Sequence, residues 1–329
     1  MQLVMIDDVP AGSLGARLSN GEILHLGRAA RAGTIETWLP TTVQGLLAAG
    51  SEGLEVARRI VVRVERATVE ERAVLTEQGA LIDSATRLLS PVPNPSLIVA
   101  AGLSYRSHLS EMSGTPAPPH PTGFLKSPAS VTAPGTDVRL PPQAGECVDF
   151  EGELACIFGR TCHNVSEADA LSYLAGYTVA NDISARDWVR AVWAATAPWE
   201  ARLTWEVNIM GKQMPGFTPL GPVLTTADDI PDPAALRLET RVNGQVVQSA
   251  CVSDLLFSIP QMIAHFSRWY TFRPGDVLLT GTPAGVGVGR RPPLFMKEND
   301  LVEVRIDRIG TLVTRFAGTG KSTVRRAVS

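Results

Sequence analysis

Short apolar runs separated by glycine and proline turns make up most of the chain and predict strands. Six such runs span 97–101, 148–158, 176–180, 237–242, 277–280 and 301–306. They are rich in β-branched or aromatic residues and are bounded by turn residues, which favours a β-rich domain. The stretches 165–175 and 254–270 are predicted to be helices. The fold class that we predict is therefore α+β with a majority of strand.

The first 90 residues alternate strand-like and helical pieces. Residues 14–18 and 23–26 flank Asn20-Gly21, a pair that supplies the positive φ angles of a tight turn, so they predict a hairpin. A helix is predicted over 42–49, because glycine follows it at Gly50.

A proline-rich connector at 90–95 follows these elements. Proline removes the backbone donor that a strand ladder needs and disfavours helix in the residue before it. We therefore place a domain boundary there. The prediction is a small N-terminal α+β domain over 1–90 and a larger domain over 91–329.

Composition narrows the class of protein. The 329 residues are 44% hydrophobic and 19% charged, and the net charge is −3, so no nucleic-acid partner is expected. Apolar runs stay well short of the roughly 20 residues of a membrane span, and the first residues lack a basic leader. We expect a cytoplasmic protein without a membrane partner. Four cysteines with no CxxC pair disfavour a disulfide scaffold or a structural zinc site and are expected to be buried.

Three carboxylates point to a metal site. Glu151 and Glu153 alternate with apolar residues such as Leu154, so in a strand both glutamates project from one face while Leu154 points to the core. Two glutamates on a strand are often simply solvated, but Asp182 follows in Ala-Asn-Asp-Ile about thirty residues later. Three carboxylates provide half of an oxygen-ligand shell for a hard divalent cation.

His108 and Glu111 form the second candidate pair. Three residues apart, they share one side of a helical turn, where the carboxylate can orient the imidazole. Histidine has the right pKa for a general base near neutral pH. An isolated pair of this kind is more often a surface ion pair. The segment 112–123, which has no periodicity, follows it and is a candidate mobile lid.

Six pieces of the chain, in this order, resemble the fumarylacetoacetate hydrolase family. They are Gly-Leu-Ser-Tyr-Arg-Ser-His-Leu-Ser-Glu at 102–111, Phe-Leu-Lys at 124–126, the strand with the two glutamates, Gly-Tyr-Thr-Val-Ala-Asn-Asp-Ile-Ser-Ala-Arg-Asp at 176–187, Gly-Lys at 211–212 with Pro-Leu-Gly-Pro at 219–222, and Thr-Gly-Thr-Pro-Ala-Gly-Val-Gly at 280–287. The likeness covers roughly residues 95–315. Residues 1–90 resemble the small N-terminal domain that many bacterial members carry.

The resemblance implies a fold of mixed, rolled β-sheets and a metal-dependent activity. It implies a Mg²⁺ or Mn²⁺ ion held by Glu151, Glu153 and Asp182, with Ca²⁺ able to take its place in a crystal. It also implies a homodimer and a small-molecule keto-acid substrate of the β-diketone or α-keto acid type.

The resemblance also implies roles for further side chains. His108 with Glu111 would activate water on a lid, and Lys212 would stabilise a developing enolate or oxyanion. Thr282 would offer its hydroxyl and nearby backbone amides to a substrate carboxylate. Further substrate or anion contacts are expected from Tyr105, Arg106 and Lys126. A salt bridge to a structural acid explains Arg106 equally well, and Arg186 with Asp187 is expected to be a supporting pair.

The chain departs from the family pattern in three places, one of which is Pro-Gly-Phe at 215–217, where relatives often have an acidic residue. Val189 stands where many members carry a substrate-binding glutamine, and the tryptophan-containing stretch 190–210 is longer than in compact relatives. We therefore do not transfer the substrate of any one member.

The leading functional hypothesis is a metal-dependent hydrolase that cleaves a C–C bond in an acylpyruvate or related 1,3-diketo acid, such as fumarylacetoacetate or fumarylpyruvate, in aromatic or sugar-acid catabolism. Decarboxylation and enol–keto isomerisation, as of 2-hydroxyhepta-2,4-diene-1,7-dioate, are alternatives because both also pass through an enolate. A non-catalytic metal-binding module is the alternative from a different class.

Overall fold

The computed structural model describes residues 1–34, 38–112, 115–142, 145–187, 191 and 194–318. The departure at Val189, two positions of the predicted lid segment 112–123 and part of the stretch 190–210 lie outside these residues. Within the described residues the fold is α+β and strand-rich, as predicted.

The described helices and strands follow one another in a long series of short elements. The helices are α1 (Leu26–Ala29), α2 (Val43–Ala48), α3 (Gly50–Glu65), α4 (Val69–Glu77), α5 (Arg106–Glu111), α6 (Pro198–Met210) and α7 (Ile259–Phe266). The first ten strands are β1 (Gln2–Ile6), β2 (Ser13–Arg17), β3 (Ile23–His25), β4 (Leu81–Ile82), β5 (Leu88–Leu89), β6 (Ile98–Gly102), β7 (Thr122–Lys126), β8 (Val131–Thr132), β9 (Val138–Arg139) and β10 (Val148–Asp149). The others are β11 (Gly152–Phe158), β12 (Leu174–Asn181), β13 (Ser184–Ala185), β14 (Thr218–Thr226), β15 (Arg237–Val242), β16 (Gln245–Cys251), β17 (Val277–Leu279), β18 (Leu301–Ile306) and β19 (Gly310–Ala317).

Two sheets carry the architecture. The larger has the order β4-β3-β2-β1-β14-β12-β11-β17-β6-β7, with β5 paired to β1 and β8 to β14. The smaller has the order β16-β15-β18-β19-β9, and β10 pairs with β13. Most neighbours are antiparallel, while β17 with β6, β14 with β8 and β19 with β9 are parallel.

Each face of the larger sheet has its own hydrophobic core. On β11, Leu154 belongs to a core shared with the smaller sheet, where it joins residues such as Leu238. Its neighbour Ala155 belongs to the opposite core, which includes Leu46 and Ile60 of the N-terminal helices. The alternation predicted from the sequence is thus confirmed, because a strand buried on both faces sends successive side chains into different cores.

The N-terminal strands continue the larger sheet. Strand β1 pairs antiparallel with β14, so that Leu3 lies opposite Leu224. Backbone hydrogen bonds and a shared core therefore connect the segments on either side of 90–95. The division into two domains at that connector stays a prediction.

The predicted N-terminal hairpin and the helix predicted over 42–49 are both confirmed. Strands β2 and β3 pair antiparallel, with Arg17 opposite Ile23. Helix α2 begins after Thr42, whose hydroxyl accepts a hydrogen bond from Gly45 N at 3.0 Å. A threonine in this position satisfies one of the backbone donors that the first helical turn leaves free.

The two helices predicted after the connector at 90–95 have different outcomes. The helix over 165–175 is wrong, because only a 3₁₀ turn forms at Ala170–Tyr173 and strand β12 starts at Leu174. Pairing of this strand with β11 outweighs the local helical pattern. The helix over 254–270 is shorter than predicted and spans Ile259–Phe266, since the capping box of Ser258 and Gln261 sets its start.

Two other expectations concern membranes and thiols. No helix in the described part of the chain is long and apolar enough to cross a membrane. Cys156 and Cys162 are buried as expected, whereas Cys147 and Cys251 are only half-buried.

Candidate metal centre

The three predicted carboxylates come together inside the protein. Glu153 lies at the start of β11, Glu151 directly precedes that strand, and Asp182 directly follows β12. Because Gly152 pairs with Asn181, the ends of these two strands are adjacent. One carboxylate oxygen from each acid lies within 4.8 Å of the others. Their relative exposures of 6%, 1% and 1% exclude the alternative of a solvated strand face.

Backbone contacts explain why the carboxylates converge. Asp182 N donates to Glu151 O at 2.8 Å, which continues the strand ladder up to the ligands. Glu151 N donates to the side-chain oxygen of Asn181 at 3.1 Å. The position of Asp182 is therefore coupled to that of Glu151 through the backbone.

Three cationic side chains surround two of the carboxylates. Lys212 Nζ donates to Glu151 Oε2 at 2.6 Å and to Asp182 Oδ2 at 2.8 Å. Lys126 forms an ion pair with Asp182, and Arg186 forms one with Glu151. Burial by itself would raise the pKa of Glu151, but Lys212 and Arg186 lower it to about 2. Glu151 is therefore an anion at neutral pH.

The two lysines have opposite pKa shifts. Burial lowers the pKa of Lys126, although Asp182 partly opposes the shift. Burial also acts on Lys212, but the charges of Asp182 and Glu151 raise its pKa above the ordinary value. Lys212 therefore remains a fixed positive charge beside the carboxylates.

Glu153 differs from the other two acids in its surroundings. It accepts a hydrogen bond from Gly281 N at 2.7 Å, and among the described residues it has no ion-pair partner. Burial, followed by the charges of Asp182 and Glu151, raises the pKa of Glu153 well above its usual range. A cation placed among the three acids would offset both effects.

The donor set fits a hard divalent cation. All three side chains offer carboxylate oxygens, the ligands that Mg²⁺ and Mn²⁺ prefer in proteins. The residues that would hold such an ion are thus Glu151, Glu153 and Asp182, as predicted from the sequence.

The histidine–glutamate pair lies at the same site. His108 Nδ1 and Glu111 Oε2 are 3.2 Å apart on α5. Glu111 Oε1 accepts a hydrogen bond from Gly285 N at 3.0 Å, which holds the helix against the loop after β17. Glu111 can therefore orient the imidazole while it is itself held by the backbone.

A cavity of about 310 Å³ lies between His108 and the three carboxylates. Its polar wall contains the three carboxylates with His108, Lys212 and Arg186. Its apolar wall includes Leu103, Met112, Phe124, Ile209 and Val288. A small molecule bound here would thus have charged groups on one side and hydrocarbon on the other.

The other predicted substrate contacts differ in whether they line the cavity. Thr282 lines the cavity, but its hydroxyl donates to Gly152 O at 3.0 Å. Tyr105 is buried in the core, and Arg106 donates to Leu255 O at 2.6 Å. Neither of them is among the described residues that line the cavity.

Lys126 and Arg186 also differ from expectation. Lys126 is buried behind Asp182 and donates to Phe217 O at 3.1 Å, so its observed contacts are to the protein. Arg186 pairs with Asp149 and Glu151 rather than with Asp187. Substrate binding by Tyr105, Arg106 and Lys126 stays a prediction.

Sequence reasoning missed two buried residues that support the site. Asp149 accepts hydrogen bonds from Gly287 N at 2.7 Å and Val288 N at 3.1 Å, and from Arg186 Nε at 3.2 Å. A signal for Asp149 existed, since it precedes Glu151 by two residues and an extended chain would place both side chains on one face. Gln248 reaches the site from β16 in the smaller sheet, and nothing local in the sequence marks it.

Three buried carboxylates beside a histidine–glutamate dyad and a cavity form the site of an enzyme, and the chain's relatives identify its class. Residues 97–317 match the fumarylacetoacetate (FAA) hydrolase C-terminal family. The chain therefore belongs to the fumarylacetoacetate hydrolase family, as the sequence motifs predicted.

Individual relatives differ in the reaction that they are named for. The chain is 36% identical over 302 residues to the mitochondrial oxaloacetate tautomerase FAHD2A of Homo sapiens, covering 92% of this chain and 86% of that one. It is 39% identical over 231 residues to the oxaloacetate tautomerase YisK of Bacillus subtilis (strain 168), covering 70% and 72%. The solved fumarylacetoacetate hydrolase of Exiguobacterium antarcticum superposes with a TM-score of 0.76 at 27% identity, covering 97% and 99%.

Proposed function

We propose that this protein is a divalent-metal-dependent tautomerase that interconverts the keto and enol forms of a small 2-keto acid of the oxaloacetate type. The observation that carries the proposal is a cavity lined by the three buried carboxylates, Lys212 and His108, whose Nδ1 lies 3.2 Å from Glu111 Oε2. Similarity to two oxaloacetate tautomerases, one human and one bacterial, supports this reaction over the hydrolysis first predicted.

Tautomerisation needs one proton to move from carbon to oxygen. A Mg²⁺ or Mn²⁺ ion at the three acids would supply Lewis-acid polarisation of the substrate carbonyl. His108, oriented by Glu111, takes the proton from the carbon next to the carbonyl. The C–H electrons form the C=C bond of the enol, and the π electrons of the C=O bond move to the oxygen. The same imidazole returns that proton to the carbonyl oxygen. Atoms and charge balance without water.

Lys212 provides a preorganised positive charge for this reaction. Its ammonium is held by Glu151 and Asp182 and remains charged because those acids raise its pKa. A charge fixed in a buried site stabilises negative charge on a nearby substrate oxygen more strongly than solvent does. Lys212 thus favours the enolate over the keto form during proton transfer.

The apolar wall of the cavity favours a second candidate, the hydrolysis of an acylpyruvate. Leu103, Phe124 and Ile209 could enclose the hydrocarbon of an acyl group, which oxaloacetate lacks. In this reaction His108 would take a proton from water instead of carbon. Similarity to the Exiguobacterium hydrolase supports this candidate.

Product analysis with enol absorbance distinguishes the candidates. Oxaloacetate and a panel of acylpyruvates would be assayed with Mg²⁺ or Mn²⁺ and with a chelator. Metal-dependent enol loss without pyruvate identifies a tautomerase, pyruvate with a carboxylic acid identifies a hydrolase, and pyruvate with CO₂ from oxaloacetate identifies a decarboxylase. Absence of any metal-dependent change on all substrates would refute an enzymatic role and favour a metal-binding module.

A variant of the dyad tests the role of His108. His108→Ala should lower the turnover number of tautomerisation or hydrolysis by about 100- to 10,000-fold, the usual contribution of a general base, and should affect decarboxylation much less. His163→Ala is the matched control, since His163 is exposed and its ring contacts Tyr270 and Thr271. Equal activity of the two variants would contradict the assignment. We also propose that the protein is a homodimer, and analytical ultracentrifugation would measure its mass in solution.

A further inference from the structure

The side chain of Gln248 bridges three segments at the carboxylate site. Gln248 lies on β16 and is buried, with 1% relative exposure. Its Nε2 donates to Thr282 Oγ1 at 2.8 Å and to Pro283 O at 2.9 Å. Its Oε1 accepts from Gly152 N at 3.0 Å. Both amide hydrogens and the carbonyl oxygen are therefore in use.

Gly152 is the residue between the two glutamates of the site. The ladder between β11 and β17 reaches Ala155, opposite Leu279, and a last bond joins Thr280 N to Leu154 O. Beyond that point the side chains of Gln248 and Thr282 bind the backbone at Gly152, where β11 begins. Gly152 N–H donates to Gln248, and Gly152 O accepts from the Thr282 hydroxyl at 3.0 Å.

The smaller sheet packs directly behind this peptide. A Cβ at Gly152 would lie 2.2 Å from Thr240 Oγ1 and 3.0 Å from Val304 Cγ1. Glycine is therefore required at this position, because the approach leaves no space for a side chain. Since Glu151 and Glu153 project from the opposite face, a shift of Gly152 changes the position of both carboxylates.

The same contacts determine what Thr282 can do. A hydroxyl has one hydrogen, and that of Thr282 is donated to Gly152 O while its oxygen accepts from Gln248. The hydroxyl therefore connects the loop after β17 to the glutamate strand. A hydrogen bond from this part of the loop to a substrate would have to come from backbone N–H groups.

We propose that Gln248 is a positioning residue for the carboxylate site, acting through Gly152 and Thr282 to hold Glu151 and Glu153 at the separation that binds a divalent cation. The inference depends on the proposed metal dependence but not on which reaction follows. It assigns a role to the smaller sheet, which contributes none of the three acids.

Metal affinity measures this role directly. The dissociation constant for Mn²⁺ would be determined from the electron paramagnetic resonance signal of free Mn²⁺, using the full chain and no substrate. Gln248→Leu, which keeps the approximate volume and removes all three hydrogen bonds, should raise the dissociation constant by about 10- to 100-fold, the usual effect of removing a group that orients metal ligands. Thr282→Val should raise it by a smaller factor, and Thr282→Ser should restore it.

A packing control separates positioning from general destabilisation. Val302 is buried in the same sheet, so Val302→Ala lowers stability there without touching the bridge. Its Mn²⁺ dissociation constant should stay within about twofold of the wild-type value, against the larger rise expected for loss of ligand orientation. An equal weakening in Val302→Ala and Gln248→Leu would overturn the proposal.

A second variant keeps the proposal testable if Gln248→Leu does not fold. Thr282→Val removes only the bond to Gly152 O and the acceptor for Gln248, and an unchanged Mn²⁺ affinity in that variant would overturn the proposal. Wild-type protein that binds Mn²⁺ but turns over no keto acid would refute the proposed activity. In that case the role of Gln248 would still be supported if Mn²⁺ bound most weakly to Gln248→Leu, less weakly to Thr282→Val and normally to Val302→Ala.

Discussion

Replacing Asp149 by asparagine tests whether this buried carboxylate connects the loop at Gly287 and Val288 to Arg186, which pairs with Glu151. Its Oδ1 accepts from Phe150 N at 2.8 Å and Gly287 N at 2.7 Å, and its Oδ2 accepts from Val288 N and Arg186 Nε. In either orientation of the amide, its NH₂ group faces two donors, so two hydrogen bonds are lost along with the charge that balances Arg186.

The expected loss of stability follows from these contacts. Hydrogen bonds to a charged group contribute about 1.5–3 kcal/mol each, so two of them give about 3–6 kcal/mol. Breaking a buried ion pair by removing one partner costs about 3–5 kcal/mol. We therefore expect Asp149→Asn to lower the free energy of unfolding by about 3–5 kcal/mol, measured by urea denaturation with tryptophan fluorescence.

A second buried aspartate provides the control. Asp276 accepts from Ser96 Oγ at 2.7 Å and Leu97 N at 2.8 Å through one oxygen, and from Arg273 N at 2.7 Å through the other. Asp276→Asn can keep the first two bonds and lose the third, at a cost of about 1.5–3 kcal/mol. It should leave Mn²⁺ affinity unchanged, whereas Asp149→Asn should weaken it.

The reasoning is refuted if Asp149→Asn loses less stability than Asp276→Asn. It is also refuted if Asp149→Asn loses several kcal/mol and binds Mn²⁺ as tightly as wild type. In that case the carboxylate would stabilise the fold without holding Arg186 and Glu151 in place.

Three further predictions concern a proposed metal ligand, the His108–Glu111 dyad and the buried histidine His25. Glu153→Gln should weaken Mn²⁺ binding by about 10- to 100-fold, since roughly 1.5–3 kcal/mol is lost with a charged ligand; titration calorimetry measures this, and unchanged affinity would remove Glu153 from the site. Gly289→Ala should displace Glu111, because the new Cβ would lie 2.6 Å from its carboxyl carbon. The turnover number should fall by up to about 100-fold with little change in melting temperature. Normal kinetics would contradict the role of Glu111. Burial and then the charge of Arg28 lower the pKa of His25, whose Nδ1 accepts from Arg28 N at 3.3 Å. The unfolded chain therefore binds more protons, so this contribution to stability is complete above about pH 6.5 and is lost as the pH falls through the lower folded pKa. His25→Asn should flatten that slope in urea denaturation, and an unchanged slope would assign it to other groups.

Much of the strand pattern was predictable because alternation of apolar and polar residues is local. The segments 237–242 and 301–306 form strands with the predicted bounds. The failure at 165–175 has the opposite cause, because pairing of Leu174 with Phe158 recruits the end of that segment into the larger sheet. Sequence periodicity does not reveal such a partner.

The sequence by itself determined that the two glutamates share one face and that His108 lies beside Glu111. Glu151 and Glu153 share a strand face by the period of two, and His108 and Glu111 share a helical face by their spacing of three. These relations hold wherever the strand and the helix form, so the sequence alone predicts them.

Only the tertiary structure decided the surroundings of the acids. Pairing of β11 with β12 placed Asp182 beside the glutamates, and the smaller sheet brought Gln248 to Gly152 from 96 positions away. The fold also paired Arg186 with Asp149 and Glu151 instead of its sequence neighbour Asp187. Charge balance and hydrogen bonding in a buried site depend on which segments meet, and burial of apolar surface between the sheets determines that meeting.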